Sequence, residues 1–324
     1  VGLKHTAKRL FKYLPPVLGL LVLGGIIAGL HHELRRIGLH DVTAALAATP
    51  RSQIYHALEC LDGSLLVMCA YDVPGVLFAR RLEGAKPLAW RRVALASFCA
   101  YALSHVVGAP ALSAAAIRLR LYTQWGITPS GAARIMALSA SQFTLGFLSL
   151  LGGILVLAPH AFPGLGHTVP IFVLRTAGAV LWLAVAGYGL AARAKAVLPL
   201  GGKRLELPPP GLTLLQIFLG WSDLLLASAI FYAVLPFAPG LSYPHVLTLY
   251  MAAFLGGLWS GLPGGAGVFD SVLLLGLTGY VPPAQAIGAI LLFRVLYFIA
   301  PACLAAVCYV VHEVACHFLR KPTK

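Results

Sequence analysis

Ionisable side chains stand at five places inside otherwise apolar stretches of this 324-residue sequence: Asp72, Arg118 with Arg120, Asp223, Asp270 and Arg294. Each costs roughly 2.5 to 3.5 kcal/mol to insert at the centre of a bilayer, so such groups face a polar cavity or a partner of opposite charge. Acids and bases held together can bind a ligand that carries both signs, or can pair with one another and join helices. Asp72 stands about two helical turns before Arg80 and Arg81, so it can also pair locally or reach toward the end of its span. Asp270 and Arg294 are both deep in their stretches, and an ion pair that only holds two helices together is open beside a cavity-lining pair.

Backbone chemistry adds a second signal. The run Gly261-Leu262-Pro263-Gly264-Gly265-Ala266-Gly267 lies just before Asp270 and cannot continue a helix. The turn from Pro263 through Gly264 and Gly265 to Gly267 places unpaired backbone amides at the start of the following helix, where a phosphate or carboxylate is favoured. The same glycines also permit close helix packing. Gly108 and Pro110 make a similar break ahead of Arg118. Each break is followed by an arginine and a tyrosine, Arg118 with Tyr122 and Arg294 with Tyr297, a loose internal echo. Gly/Pro-interrupted segments that recur in two halves of a transporter point to a binding site near the bilayer midplane.

Enzyme chemistry has little support. There is no G-x-S-x-G, H-E-x-x-H or Walker loop and no histidine cluster at metal spacing, so no catalytic residue, metal ligand or cofactor is assigned. His31 and His32 are neighbours and would point apart on a helix; His105, beside the first break, is the buried histidine to watch. The six cysteines, Cys60, Cys69, Cys99, Cys303, Cys308 and Cys316, show no C-x-x-C spacing and read as small hydrophobes.

The elements that position these residues follow from composition. Hydrophobic residues make up 59% of the chain and charged ones 10%, against about a quarter charged in soluble domains. Runs such as residues 14–30 are apolar on every face, which excludes the alternating pattern of a membrane β-barrel and leaves helices, whose backbone groups are satisfied internally. The expected fold is therefore an all-α, polytopic membrane bundle forming a single domain over residues 1–324. Eight hydrophobic blocks are expected, at 14–30, 58–78, 94–117, 132–157, 169–191, 212–235, 246–277 and 286–311. The first has basic residues before it but no small-residue cleavage site after it, and reads as a retained span.

Net charge is +14. Its basic clusters, at the N-terminus, 80–92, 193–204 and 320–324, mark cytoplasmic segments, which puts both chain ends on that side. Three blocks lie between the second and third clusters, so one of them must cross an even number of times. Block 94–117, split by Gly108 and Pro110 into halves too short to span, fits a re-entrant hairpin, and block 246–277 fits a second. The basic balance suits anionic lipid; nucleic acid is not an expected partner, because no water-facing basic domain is present.

With these residues assembled, the chain resembles the N-terminal transmembrane module of the multiple peptide resistance factor, the lysylphosphatidylglycerol synthase transmembrane-region family. The likeness rests on Leu30-His31-His32-Glu33-Leu34 with His40-Asp41-Val42, on Tyr71-Asp72, on Ala96-Ser97-Phe98 with Tyr101-Ala102, and on Arg118-Leu119-Arg120-Leu121-Tyr122 with Trp125-Gly126. It continues through Leu262-Pro263-Gly264-Gly265-Ala266-Gly267-Val268-Phe269-Asp270 to Arg294, Tyr297 and Pro301. Around the first break, where the family often carries Asn and paired glycines, this chain has His105-Val106-Val107-Gly108-Ala109-Pro110. The resemblance implies a lipid flippase of the bacterial cytoplasmic membrane that carries aminoacylated phosphatidylglycerol to the outer leaflet, reducing the attraction of cationic antimicrobial peptides. It also implies that aminoacyl transfer belongs to a soluble domain absent from this sequence, supplied by a separate synthase domain or protein. On this reading Arg118, Arg120 and Arg294 hold the lipid phosphate, and Asp72, Asp223 or Asp270 meets a cationic headgroup. A scaffold for a separate synthase, a membrane-embedded headgroup transferase using Asp72 or His105 as base, and assembly as a homo-oligomer stay open.

Overall fold

The computed structural model describes residues 39–83, 87–107, 109–162, 168–195, 197–200, 203–265 and 267–319. The first hydrophobic block, with His31 and His32, and the basic tail at 320–324 lie outside the described residues, as do Gly108 and Ala266. In chain order the helices are α1 (Leu39–Ala48), α2 (Arg51–Ala70), α3 (Val73–Glu83), α4 (Trp90–Val107), α5 (Pro110–Gln124), α6 (Pro129–Leu157), α7 (Ile171–Arg193), α8 (Pro210–Val234), α9 (Tyr243–Ser260), α10 (Val268–Leu277), α11 (Pro283–Phe293) and α12 (Ala300–Leu319). Strands β1 (Val197–Leu200) and β2 (Lys203–Glu206) form an antiparallel hairpin between α7 and α8, with Leu198 opposite Leu205. This short ribbon, in the expected basic segment, is where the chain departs from an all-helical reading.

Among the described residues, five stretches are long and apolar enough to cross a membrane: Arg51–Leu82, Pro129–Leu157, Ile171–Arg193, Pro210–Val234 and Pro283–Cys316. They match the expected second, fourth, fifth, sixth and eighth blocks. The third and seventh blocks are each two shorter helices, α4 with α5 and α9 with α10, folded back so that the two members pack together. Proline sets the first restart: Pro110 opens α5 at a position where a helix has no N–H partner to lose. Ala109, just before it, is held at φ 43°, in the left-handed region a side chain rarely adopts. Helix α6 begins the same way, with Pro129 in its first turn and Thr128 Oγ1 accepting from the Gly131 amide at 3.0 Å.

Two long helices are interrupted at the residues of interest. Between α2 and α3 the chain makes one turn at Tyr71 and Asp72, because Pro74 brings no N–H to the Ala70 carbonyl. Between α11 and α12, Arg294–Ile299 is a π-helical segment that ends two residues before Pro301, whose missing N–H frees the Tyr297 carbonyl in the same way. That segment carries both Arg294 and Tyr297.

Packing centres on α2, α6 and α8. Helices α6 and α8 touch backbone to backbone: a methyl at Gly146 would lie 2.6 Å from the Gly220 backbone, the close approach that small residues allow between membrane helices. Helix α7 packs on α6 but buries only Leu174, Gly178 and Ala192; Phe172, Leu183 and Leu190 point outward, as a lipid-facing helix would have them. The two broken pairs meet at their tips, where the Ala109 amide donates to the Gly261 carbonyl at 3.3 Å.

Candidate functional site

Helix interruption and tertiary packing bring the buried charges into separate clusters. At the α2–α3 turn, Asp72 is fully buried. Arg118, on α5, approaches it with Nε at 3.0 and 2.9 Å from the two carboxylate oxygens and Nη2 at 2.8 Å from Oδ1. Tyr122, one turn further along α5, donates to Oδ2 at 2.9 Å, and Ser139 of α6 donates to Oδ1 at 2.9 Å. Ser97 of α4 accepts from the Asp72 amide and donates to the Met68 carbonyl, joining the turn to α4. Asp72, Arg118 and Tyr122 therefore come together as one saturated knot across three parts of the fold. A buried pair with this many hydrogen bonds offsets the desolvation of its charges, and loses that balance if one partner is removed.

The second cluster forms at the glycine turn. Asp270 sits in the first turn of α10 and accepts from the Gly267 amide at 3.1 Å, capping the helix. Arg294 reaches it from the π-helical segment, with Nε 2.7 Å from Oδ1 and Nη2 2.9 Å from Oδ2, and also donates to the Gly264 carbonyl at 3.2 Å. Gly264, Gly265 and Gly267 all have positive φ, which only glycine adopts without strain. Pro263 opens the single 3-10 turn between them. The turn's chemistry is thus spent in part on an acid and an arginine of the chain itself.

Arg120 stands apart from both. It faces α12, where Nε and Nη2 make a paired contact with Glu313 at 3.1 and 2.7 Å. The structure therefore does not gather Arg118, Arg120 and Arg294 around one point; each is engaged by its own carboxylate.

Asp223, on α8, is different. It is 3% exposed and accepts from the Tyr101 hydroxyl at 2.7 and 2.6 Å, with the Tyr297 hydroxyl at 3.5 Å. Among the described residues no cation pairs with it. Tyr101 and Tyr297 are 3.2 Å apart through their hydroxyls, and Tyr71 packs edge-on to Tyr101. A tyrosine hydroxyl supplies one hydrogen bond but no charge, so an ionised carboxylate here lacks a counter-charge.

Asp223 and Arg118 line a common cavity of about 580 Å³, bounded by the first broken pair, α6 and α9. Its walls are mostly apolar, with Phe143, Phe147, Phe254 and Leu258 among them, and among the described residues Arg118 is its one guanidinium and Asp223 its one acid. Ligand cavities have this character, an apolar wall with a few placed polar groups. A narrow pocket of about 30 Å³ adjoins it, sharing His105, Pro110, Phe254 and Leu258, and reaches Gly264, Gly265 and Phe298 beside Arg294. A larger cavity of about 690 Å³ lies between α1, the start of α2 and α11, but no charged side chain lines it among the described residues. Among the described residues no three His, Cys, Asp or Glu side chains are placed to share a metal ion.

Ser139 and Glu313 are partners that sequence reading did not select. Ser139 carries no signal within an apolar helix, and Glu313 lies two residues past the bound drawn for the last block, so a count of ionisable groups inside the blocks misses it.

No family model matches the chain. An uncharacterized protein of Synechocystis sp. is 29% identical over 296 residues, covering 91% of this chain and 90% of its own length. Inner membrane protein YbhN of Escherichia coli is 30% identical over 269 residues, which is 80% of this chain and 81% of that protein. The chain belongs to the YbhN family of inner-membrane proteins. Membership of that family agrees with the multi-pass helical fold and places the chain in the inner membrane. A phosphatidylglycerol lysyltransferase of Staphylococcus haemolyticus is 25% identical over 307 residues, 94% of this chain and 34% of that protein. The expected kinship with lysyltransferase membrane modules is therefore present as a distant relationship, and this chain spans about a third of that relative.

Proposed function

We propose that the protein moves phospholipid across the bacterial cytoplasmic membrane, carrying aminoacylated phosphatidylglycerol of the lysyl kind to the outer leaflet and so lowering the attraction of cationic antimicrobial peptides. The observation that carries this reading is the 580 Å³ cavity whose apolar wall holds one guanidinium and one acid without a cationic partner. Acyl chains suit the apolar wall, the phosphate suits Arg118, and a cationic headgroup suits Asp223. The two broken pairs act as re-entrant hairpins whose tips meet near the midplane, with both chain ends cytoplasmic. Arg294, Asp270 and the Pro263 to Gly267 turn lie at the narrow end and form a second station for the phosphate once Asp270 releases Arg294, while Tyr297 reaches back to Tyr101 and Asp223. The distant relative's printed activity, phosphatidylglycerol lysyl transfer, supports this class of lipid.

The test is reconstitution of the purified protein in liposomes containing fluorescent phosphatidylglycerol, lysyl-phosphatidylglycerol or phosphatidylethanolamine, scored by accessibility of the label in the outer leaflet. Selective movement of the aminoacylated lipid is the expected result; no movement of any of the three by folded protein would overturn the reading. A second reading has its own observation. About two thirds of the lysyltransferase relative lies outside the matched region, so this chain can serve as the membrane scaffold of a separate synthase. That role requires co-purification with the synthase and no lipid movement by the chain alone.

A further inference from the structure

The lining of the cavity is chemically uneven. Near Arg118 it offers a guanidinium, but around Tyr101 it offers mainly acceptors. The Tyr101 hydroxyl gives its proton to Asp223, and Ser104 gives its proton to the Tyr101 carbonyl at 2.8 Å. His105 Nδ1 lies 2.8 Å from that same carbonyl. A carbonyl can only accept, so Nδ1 carries the ring proton, and a neutral ring then presents Nε2 as a lone pair. No described group donates to Nε2. The ring is half-buried, lines the cavity, and is fixed in place between Tyr101, Phe254 and Phe298, with ring centres 4.9, 6.1 and 5.6 Å away.

We propose that His105 is a specificity-determining residue: with Asp223, at the other end of the Tyr101 side chain, it selects headgroups ending in a primary ammonium over those ending in a quaternary one. The amphoteric Tyr71 hydroxyl completes the lining there. A primary ammonium brings three N–H donors to these acceptors, whereas a trimethylammonium brings none and leaves Nε2 and the carboxylate unpaired. Leaving buried acceptors unpaired is the strongest way a site rejects a near-isostere. The surrounding rings alone would favour the opposite choice, since aromatic cages bind quaternary ammonium groups well. The inference rests on the transport reading for its choice of ligand.

The experiment measures binding and not movement, so the two readings fail separately. Purified full-length protein in detergent is titrated with phosphatidylethanolamine, its N-methyl and N,N-dimethyl derivatives, and phosphatidylcholine, all with matched acyl chains, and affinity is read from the ligand-dependent rise in Tm. Affinity is expected to fall in steps as N–H groups are lost, on the order of tenfold across the series. His105→Phe should flatten the series, His105→Gln, which keeps a side-chain acceptor, should restore it, and Asp223→Asn should weaken every amine together. Equal affinity for the first and last members, tighter binding of phosphatidylcholine, or an unchanged series in His105→Phe would overturn the assignment. Retention of the series by protein that moves no lipid would leave it standing and sink the transport reading alone.

Discussion

Asp72 and Asp223 are both acids buried among helices, yet one is surrounded by a guanidinium, a tyrosine and a serine, and the other, among the described residues, meets tyrosines only. The first has every lone pair spoken for by α5 and α6. The second presents its carboxyl group to a cavity. A saturated buried acid binds parts of the protein to each other, while an acid without a cation is a demand placed on whatever enters. Burial alone does not distinguish the two; the partners do.

Breaking the saturated side should have the largest effect. Arg118→Ala strands Asp72 without its cation and should cost about 3 to 5 kcal/mol of stability, read as a large fall in Tm of the purified protein. A paired Asp72→Leu and Arg118→Met replacement should recover most of that loss, because the desolvation of both charges is removed with them. Asp223→Asn should behave in the reverse manner. Its Tm should move little, while lipid movement in liposomes falls at least about tenfold, equivalent to roughly 1.4 kcal/mol; an unfolded Asn variant, or one with normal transport, would erase the contrast.

Tyr101→Phe sharpens the comparison from the other end. It removes a hydrogen bond to a charged group and should cost about 1.5 to 3 kcal/mol, with the transport defect smaller than that of Asp223→Asn. The least effect is expected at Arg120→Ala. Its two-point bond to Glu313 is partly open, with 13% and 25% of the two side chains exposed, so the loss in thermal denaturation is expected to be smaller than at Arg118, about 1 to 2 kcal/mol.

Much of this architecture is legible along the chain because its causes are local. Apolar runs of spanning length, Pro110 at a helix start and four glycines in a seven-residue turn each act within a few residues. The pairings are not local. Asp72 finds Arg118 across 46 positions, Asp223 finds Tyr101 across 122, and Arg120 finds Glu313 across 193. Nothing in the spacing tells which arginine goes to which acid, so the sequence offered three arginines for one phosphate where the fold gives each its own carboxylate. Pro301 shows the intermediate case: the proline is visible, but its outcome, a π-helical stretch that carries Arg294 and Tyr297, is not.

That stretch has a consequence for how the chain can vary in length. A π-helical segment is an α-helix holding one surplus residue, and each residue turns a helix by about 100°. Deleting one position within Arg294–Ile299, past Arg294, would restore ordinary winding and leave α12, with Glu313, near its present phase, because five α-helical residues turn about as far as six in the wider segment. The bond to Asp270 and the bond to Arg120 can thus both outlast a one-residue loss in that turn, and what the surplus residue sets is the local placement of Tyr297.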